Sequence, residues 1–140
     1  MSSPTWWTRR DALRSLLVLV LVGCRHEPDN KPIPPDEQAL KELAAVYRDF
    51  FKKNKRGPKT FKELQRKGQG YPNAMQMVQS GELIVQWGAG LSPENETTDA
   101  VLAYFKSAPA QGGQVLLQDG NTIKNMSAEE FKAASKAASP

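Results

Sequence analysis

The single cysteine in this 140-residue sequence, Cys24, is the side chain best suited to covalent chemistry, because a thiolate is a strong nucleophile. The single histidine, His26, lies in a proline-rich stretch, where we expect a solvated side chain rather than a ligand or a base. One cysteine excludes an internal disulfide and a Cys-rich zinc site, and one histidine excludes a multi-histidine metal site. The chemistry of Cys24 therefore has to be interpreted from the residues before it.

An apolar run lies directly before Cys24. Residues 16–23 read LLVLVLVG, which is too short to cross a bilayer as a helix, since that needs about 20 apolar residues. The run has the length of the apolar part of a signal peptide, and three arginines upstream supply the positive charge that such a peptide carries. The pattern predicts a signal peptide over residues 1–23.

The end of this run resembles a bacterial lipobox through Leu21, Val22, Gly23 and Cys24. The resemblance implies that Cys24 receives a diacylglycerol on its sulfur, that a peptidase cuts before it, and that its new amino group is often acylated. We then expect the folded part to be anchored to a membrane of the cell envelope and to face the periplasm or the exterior. Whether this is the inner or the outer membrane stays open.

The segment 8–14 reads TRRDALR and resembles the twin-arginine translocation motif through Arg9, Arg10 and Leu13, with Ala12 where phenylalanine is usual. The resemblance implies export by that route, and the general secretory route stays open. Residues 24–36 are then the lipidated cysteine and a tether, since closely spaced prolines favour an extended chain of about 3 Å per residue. Residues 37–140 are left for one small domain.

Carboxylates are the other groups that could act in catalysis or bind a metal. A glycosidase needs two of them across one site. The candidates are Glu82, Glu94, Glu96, Asp99 and Asp119. Most lie in polar loops, and the cluster 94–99 lacks the alternating ligand pattern of a calcium loop. Because the domain also lacks histidine, cysteine and a phosphate-binding glycine motif, we expect no enzymatic activity, no cofactor and no metal.

Basic residues are concentrated in residues 52–67, here called the basic segment. Its net charge is +7, because a single acid, Glu63, accompanies eight basic residues. These are Lys52, Lys53, Lys55, Arg56, Lys59, Lys62, Arg66 and Lys67. One interpretation is a solvated helix end, where lysine suits the helix dipole. The other is a contact surface for anionic lipid or an acidic envelope partner. Nucleic acid is a poor candidate for an exported protein.

A long helix is predicted at the start of the domain. Asp36 is placed to cap a helix from Glu37, and Gly57–Pro58 is placed to end it. Apolar residues recur between them with helical spacing, which indicates one buried stripe. They are Leu40, Leu43, Ala44, Tyr47, Phe50 and Phe51.

Two shorter helices are predicted next. Thr60 and Glu63 have the spacing of a capping box, which indicates a short helix that stops at Gly68. Residues 74–80 favour a further helical turn ended by Gly81.

The composition then changes to β type. Strands are predicted over residues 83–87, 101–105, 115–117 and 122–124. Asp119–Gly120 between the last two indicates a hairpin with a type I′ turn. Trp87 and Tyr104 lie in these strands and are expected in the core, whereas an exposed Trp87 would indicate a binding platform.

The C-terminal part completes the fold class. Ser127 and Glu130 form a capping box, with Met126 and Phe131 as its hydrophobic staple, and predict a short helix that frays after it. Helices that precede a separate antiparallel sheet favour α+β over alternating βαβ units. We expect an α+β fold: an N-terminal amphipathic helix plus a short helix, then a small antiparallel sheet of three or four strands and a short C-terminal helix. The long helix should lie on one face of the sheet.

This order of helix and short meander resembles the globular heads of type II secretion pseudopilins and of the pilin-like proteins of planctomycetes. The segments 56–64, 101–104 and 112–120 carry the resemblance. Pro109 stands where the related segment has histidine, and a lipid anchor takes the place of the long apolar N-terminal helix. The resemblance implies the fold of such a head and implies no filament assembly.

Two hypotheses of function follow from these observations, and a third, a small hydrolase, would need convergent carboxylates in a pocket. The first is a non-catalytic, membrane-anchored envelope lipoprotein whose domain acts as an interaction or structural module. The alternative is a peptide- or ligand-binding accessory protein of a secretion or pilin-like system, which would add a strand at the edge of the sheet. An exposed apolar groove beside residues 83–87 would favour the alternative, and a continuous basic face directed back toward the tether would favour contact with a membrane.

Overall fold

A four-stranded antiparallel sheet with helices on both faces organises the protein. The computed structural model describes residues 32–93, 96 and 98–139, all of which belong to the unit Pro32–Pro140. The elements in chain order are α1 (Pro35–Asn54), α2 (Phe61–Gln65), a 3-10 turn (Gly68–Gly70), α3 (Pro72–Ser80), β1 (Leu83–Val85), β2 (Val101–Phe105), α4 (Ala108–Gln111), β3 (Gly113–Leu117), β4 (Ile123–Met126) and α5 (Ala128–Ala133). The predicted α+β class is confirmed.

The start of α1 differs from the prediction, because Asp36 is not its N-cap. Pro34 holds the N-cap position without a side-chain hydrogen bond, and Pro35 is the first helical residue. Proline suits this position because its fixed φ matches the helix and its missing N–H is not needed in the first turn. Asp36 and Glu37 lie in that first turn, where negative charge is favourable near the positive end of the helix dipole.

The end of α1 comes earlier than Gly57–Pro58. Lys55 adopts a left-handed backbone with φ 58°, and its N–H donates to the Phe51 carbonyl oxygen at 2.7 Å. The Asn54 side-chain amide donates to the Phe50 carbonyl oxygen at 2.8 Å. The bond from Lys55 satisfies a carbonyl group that the last helical turn would leave without a partner, and the bond from Asn54 adds a second contact at the same end.

The caps of the next two helices follow the sequence only in part. The Thr60 hydroxyl accepts the Glu63 N–H at 3.4 Å, as predicted, but the Glu63 carboxylate accepts the Lys59 N–H at 2.9 Å and so leaves the capping box incomplete. α3 starts at Pro72 rather than at residue 74. It ends at Gly81, whose φ of 79° is the left-handed conformation expected there.

Glu42 of α1 holds the beginning of α3. Its two carboxylate oxygens accept the Ala74 N–H at 3.0 Å, the Asn73 side-chain amide at 2.8 Å and the Gln38 side-chain amide at 3.2 Å. Partial burial acts to raise the pKa of Glu42, but these hydrogen bonds outweigh it and lower the pKa. A side chain of α1 thus supplies the cap that α3 lacks in its own sequence.

The sheet has the strand order β1-β2-β3-β4, and every pair is antiparallel. The register pairs Val85 with Ala103, then Tyr104 with Val115. An irregularity between Val101 and Ala103 breaks the alternation in β2. As a result Leu102 and Ala103 both contribute to one face of the sheet, while Val101 contributes to the other.

Two apolar cores lie on opposite faces of the sheet. The larger core packs α1, α2 and α3 against one face, and it includes Leu40, Leu43, Val46, Tyr47, Leu64, Leu83, Val85, Leu102 and Leu116. This confirms that the long helix covers one face. The smaller core packs α4 and α5 against the other face, and it consists of Val101, Ala108, Val115, Leu117, Met126 and Phe131. The packing of α4 on this second face was not predicted, because α4 is a four-residue helix with a proline inside it.

The predicted hairpin joins β3 to β4, but its turn is not type I′. That turn needs positive φ at both central residues, and only Gly120 has it, with φ 68°. Asp119 instead organises a longer loop, since its carboxylate accepts the Asn121 and Thr122 N–H groups at 2.9 and 2.8 Å. Arg48 of α1 donates to the Asn121 side chain at 2.9 Å and ties this loop to the helix.

The capping box of α5 is confirmed, but the chain after α5 does not fray. Ser127 and Glu130 exchange side-chain to backbone bonds at 2.8 and 3.2 Å. Beyond α5, the Ser135 carbonyl accepts the Val101 N–H at 2.8 Å, and the Ala137 N–H donates to the Val101 carbonyl at 2.9 Å. This parallel bridge buries Ala137 and orders a segment whose composition alone indicates little structure.

Candidate functional site

The residues of the predicted export signal lie outside the described residues, and their roles stay predictions. They are Arg9, Arg10, Leu13, Leu21, Val22, Gly23 and Cys24. The candidate site that the structure does describe is formed by the basic segment, residues 52–67.

A buried contact fixes the path of the basic segment after α1. The Tyr47 hydroxyl donates to the Ala89 carbonyl oxygen at 2.6 Å inside the core, and the Gly88 N–H donates to the Pro58 carbonyl oxygen at 2.7 Å. Burial raises the pKa of Tyr47, so this hydroxyl stays protonated. A Cβ on Gly57 would overlap the Ala89 carbonyl oxygen and lie 2.6 Å from the Tyr47 hydroxyl oxygen. Only glycine fits here, and the chain between α1 and α2 is held against the core.

Arg56 and Glu63 form an ion pair across the turn between α1 and α2. Two guanidinium nitrogens donate to the two carboxylate oxygens at 2.9 and 3.0 Å. The Arg56 hydrogen bonds, and then the bond from the Lys59 N–H, lower the pKa of Glu63 to about 2. The guanidinium carbon lies 5.5 Å from the centre of the Phe50 ring, within the range of a cation–π contact. These contacts fix the orientation of Arg56 at the surface.

Four of the eight predicted basic residues line one open cleft of about 240 Å³, here called the basic cleft. It lies between the last turns of α1 and the segment that contains α2. Its lining residues are Phe50, Lys53, Asn54, Arg56, Glu63, Arg66 and Lys67. Four cations and one carboxylate give this lining a net charge of +3. The other basic residues are exposed outside the cleft: Lys52, Lys55, Lys59 and Lys62.

Lys53 and Lys67 come together in this cleft. The Lys53 side chain is close enough to lower the pKa of Lys67, while the charge of Asp49 acts in the opposite direction. Like charges at such close range are unfavourable unless a negative group neutralises them.

Two other residues of the cleft lining were not predicted as site residues: Phe50 was assigned only to the core, and Asn54 was assigned no role. Phe50 and Asn54 are four positions apart, so they lie on the same side of α1. This spacing was the only signal in the sequence that could have placed both beside the cleft.

The carboxylates that were considered as catalytic candidates take part in separate local structures. Asp119 is bonded within the hairpin loop. Asp99 lies 3.6 Å from the Lys124 ammonium nitrogen. Glu82 lines a shallow depression of about 400 Å³ near the start of α1. Glu96 is exposed.

The two aromatic residues expected in the core have different settings. Tyr104 lies in β2, and its ring centre is 4.7 Å from that of Phe131. Trp87 packs against the larger core and Tyr104 against the smaller one, but both are only partly buried, so neither lies inside a core as expected. The predicted place of Trp87 in a strand is wrong, because β1 ends at Val85 and Trp87 lies in the turn that follows.

Three further findings bear on function. None of the helices in the part of the chain that the structure describes has the length and apolar character needed to cross a membrane. Among the same residues, no three His, Cys, Asp or Glu side chains are grouped to hold a metal ion, and Glu94 of the considered calcium cluster lies outside them. No family model, no curated protein and no solved structure matches the chain.

Proposed function

We propose that the protein is a non-catalytic, lipid-anchored envelope protein whose α+β domain acts as an interaction module, with the basic segment binding an anionic partner. The observation that carries the binding surface is the basic segment itself. All eight of its cations are exposed, and four of them line a single cleft. The anchor and the envelope location are supported by the resemblance of residues 21–24 to a lipobox.

Helix-dipole effects account for only part of this charge. Lys52 and Lys53 lie in the last turn of α1, and Lys62 lies in the last turn of α2, where cations are favourable. Lys55 and Arg66 are the C-caps of the same two helices, and the other three basic residues of the segment lie beyond the helix ends: Arg56, Lys59 and Lys67. Among the described residues, the ion pair that this segment makes is Arg56 with Glu63. A solvated helix end therefore explains the segment less well than a contact surface does.

The length of α1 separates the basic segment from the beginning of the domain. A 20-residue helix rises about 1.5 Å per residue, so about 30 Å lie between Pro35 and Asn54. The anionic partner is thus expected to bind the end of the domain that lies away from Pro35.

The alternative function, capture of a peptide at a sheet edge, has weaker support. β1 and β4 are the edge strands. β4 exposes Lys124 and Asn125, and a lysine on an edge strand discourages the addition of another strand. An apolar groove beside β1 would favour peptide capture, but the large apolar side chain exposed among the described residues is Ile33, before α1.

Charge reversal at two positions tests the proposed surface. Lys52→Glu/Lys62→Glu changes two exposed residues of the basic segment, and Lys106→Glu/Lys132→Glu is the matched control at exposed lysines elsewhere. Both variants have the same net charge. Binding of the full chain is measured by co-sedimentation with phosphatidylglycerol vesicles, and binding to phosphatidylcholine vesicles is subtracted to remove any contribution of the anchor.

We expect the basic-segment variant to bind at least tenfold more weakly than the wild type, since each cation near an anionic surface contributes roughly fivefold to affinity. The control should change by much less, because its lysines lie away from the proposed surface. Equal weakening of the two variants would show that only net charge matters, and it would contradict the proposal.

A further inference from the structure

The charge in the basic cleft is poorly compensated by its own residues. Glu63 is the one carboxylate in the lining, and both of its oxygens are engaged by Arg56. The cations Lys53, Arg66 and Lys67 line the same cleft. Within the described residues, no carboxylate oxygen lies within 4.0 Å of the side-chain nitrogens of these three cations. The cleft thus presents three cations to whatever enters it.

The presence of both Lys53 and Lys67 in its lining is the most specific feature of this cleft. Neighbouring ammonium groups repel each other, and an anion with several oxygens can accept a hydrogen bond from each of them at once. A phosphate group has such oxygens, and guanidinium and ammonium groups are its usual protein ligands. Arg66 provides the guanidinium that is not already engaged by Glu63.

The walls of the cleft also suit a small anion. Phe50 forms an apolar wall, and the two hydrogen bonds from Arg56 to Glu63 hold the guanidinium over the Phe50 ring. The C-terminal end of a helix is the negative end of its dipole and opposes anion binding. Here the Phe50 and Phe51 carbonyls already accept hydrogen bonds from Asn54 and Lys55, which reduces this opposition. The volume of about 240 Å³ leaves room for one phosphate group with part of its hydration shell.

We propose that the basic cleft is a binding site for one phosphate group, held between Lys53 and Lys67 with Arg66 as the third cation. The inference rests on the proposed anionic partner and names its chemistry and its place in the basic segment. Inorganic phosphate and the headgroup of an anionic phospholipid offer the same group, and the experiment separates these two sources.

The test compares two double substitutions in the full chain. Lys53→Ala/Lys67→Ala removes the paired lysines of the cleft. Lys52→Ala/Lys62→Ala removes the same charge from exposed positions of the basic segment outside the cleft. Inorganic phosphate is titrated into each protein by calorimetry at constant ionic strength, with chloride as the competing anion. The same variants are then tested with phosphatidylglycerol vesicles.

We expect the cleft variant to lose phosphate affinity by on the order of tenfold or more, since it loses two charged hydrogen bonds. The outside variant should lose much less affinity, because Lys52 and Lys62 do not line the cleft and act on a bound phosphate only through charge that solvent and salt screen. A second readout follows Lys67 directly by NMR of labelled lysine side chains. The pKa of Lys67 lies below its ordinary value in the free protein and should rise when phosphate binds.

The outcomes separate this inference from the proposed function. Specific loss of phosphate binding in the cleft variant supports the site with inorganic phosphate as its source. A loss of vesicle binding that is clearly larger in the cleft variant than in the outside variant, without measurable phosphate binding, supports it with a lipid headgroup as the source. Equal loss in both variants contradicts the cleft but leaves the basic segment as a diffuse anionic contact. No loss in either variant, with either probe, contradicts both.

The urea midpoint of unfolding checks that the cleft variant still folds. Both lysines are exposed, so their removal should leave this midpoint unchanged or slightly higher as the repulsion between them is lost. A Lys67 pKa that does not move when wild-type protein is saturated with phosphate also overturns the site, whatever the affinities of the variants.

Discussion

Replacing Gly57 with alanine should destabilise the domain strongly, because the new methyl group has no space. It would overlap the Ala89 carbonyl oxygen, and it would lie 2.8 Å from the carbonyl carbon and 2.6 Å from the Tyr47 hydroxyl oxygen. Ordinary contacts begin at 3.4 Å, so the hydroxyl must move by about 0.8 Å and the Ala89 backbone must move as well. Overpacking of this kind costs about 1–3 kcal/mol. Losing the hydrogen bond from Tyr47 to Ala89 adds about 1 kcal/mol.

The expected total for Gly57→Ala is therefore about 2–4 kcal/mol in the free energy of unfolding. For a domain of this size, each kcal/mol lowers the melting temperature by about 4–8 °C. The assay is urea unfolding of the full chain, followed by far-UV circular dichroism. Gly70→Ala is the matched control, because a Cβ there meets nothing within 4 Å and its φ is not positive. The control should lie between no change and a gain of about 1 kcal/mol.

The Tyr47 hydroxyl gives a further check on the same reasoning. Tyr47→Phe alone should cost about 1 kcal/mol, since the Ala89 carbonyl loses its partner. The double variant with Gly57→Ala should cost less than the sum of the two single variants, because the hydroxyl is one of the groups that the methyl meets. A Gly57→Ala protein that unfolds at the same urea concentration as Gly70→Ala would refute the tight contact.

Two further predictions concern helix caps. Glu42→Gln should lower the free energy of unfolding by about 1 kcal/mol at pH 7, allowing for partial exposure, since the carboxylate accepts three hydrogen bonds at the start of α3. Because folding lowers the pKa of Glu42, its contribution is complete above the unfolded pKa of about 4.3 and is lost as the pH falls through the lower folded value. Urea unfolding at pH 7 and pH 3 should show the gap between wild type and variant narrowing, and an undiminished gap at pH 3 argues against this cause. Ser127→Ala should cost about 1 kcal/mol by loss of the cap of α5, whereas Ser107→Ala should cost little, since Ser107 precedes α4 without a side-chain cap bond. Equal thermal stability of the two serine variants contradicts the prediction.

The features that the sequence predicts well are the local ones. The caps at Thr60 and Ser127, the helix end at Gly81 and the staple of Met126 with Phe131 all depend on residues a few positions apart. Such short-range patterns are visible in a single sequence, and together they are enough to give the α+β class.

The features that the sequence does not predict depend on residues far apart in the chain. Glu42 caps a helix that begins about thirty residues later, and the segment after α5 pairs with Val101 on β2. The candidate site likewise has one feature that the sequence predicts and one that it does not. The excess of charge in residues 52–67 is a matter of composition, but the meeting of Lys53 with Lys67 depends on how the turn at Gly57 folds α2 back toward α1.

The intact mass of the protein, taken from the membrane fraction of a bacterium that expresses the full sequence, tests most directly the claim that this domain works as an anchored envelope module. We predict a chain that begins at Cys24 and carries the added mass of a diacylglycerol group, with or without a further acyl chain. A chain that keeps Met1, has an unmodified Cys24 thiol and is found in the soluble cytoplasmic fraction would contradict the account.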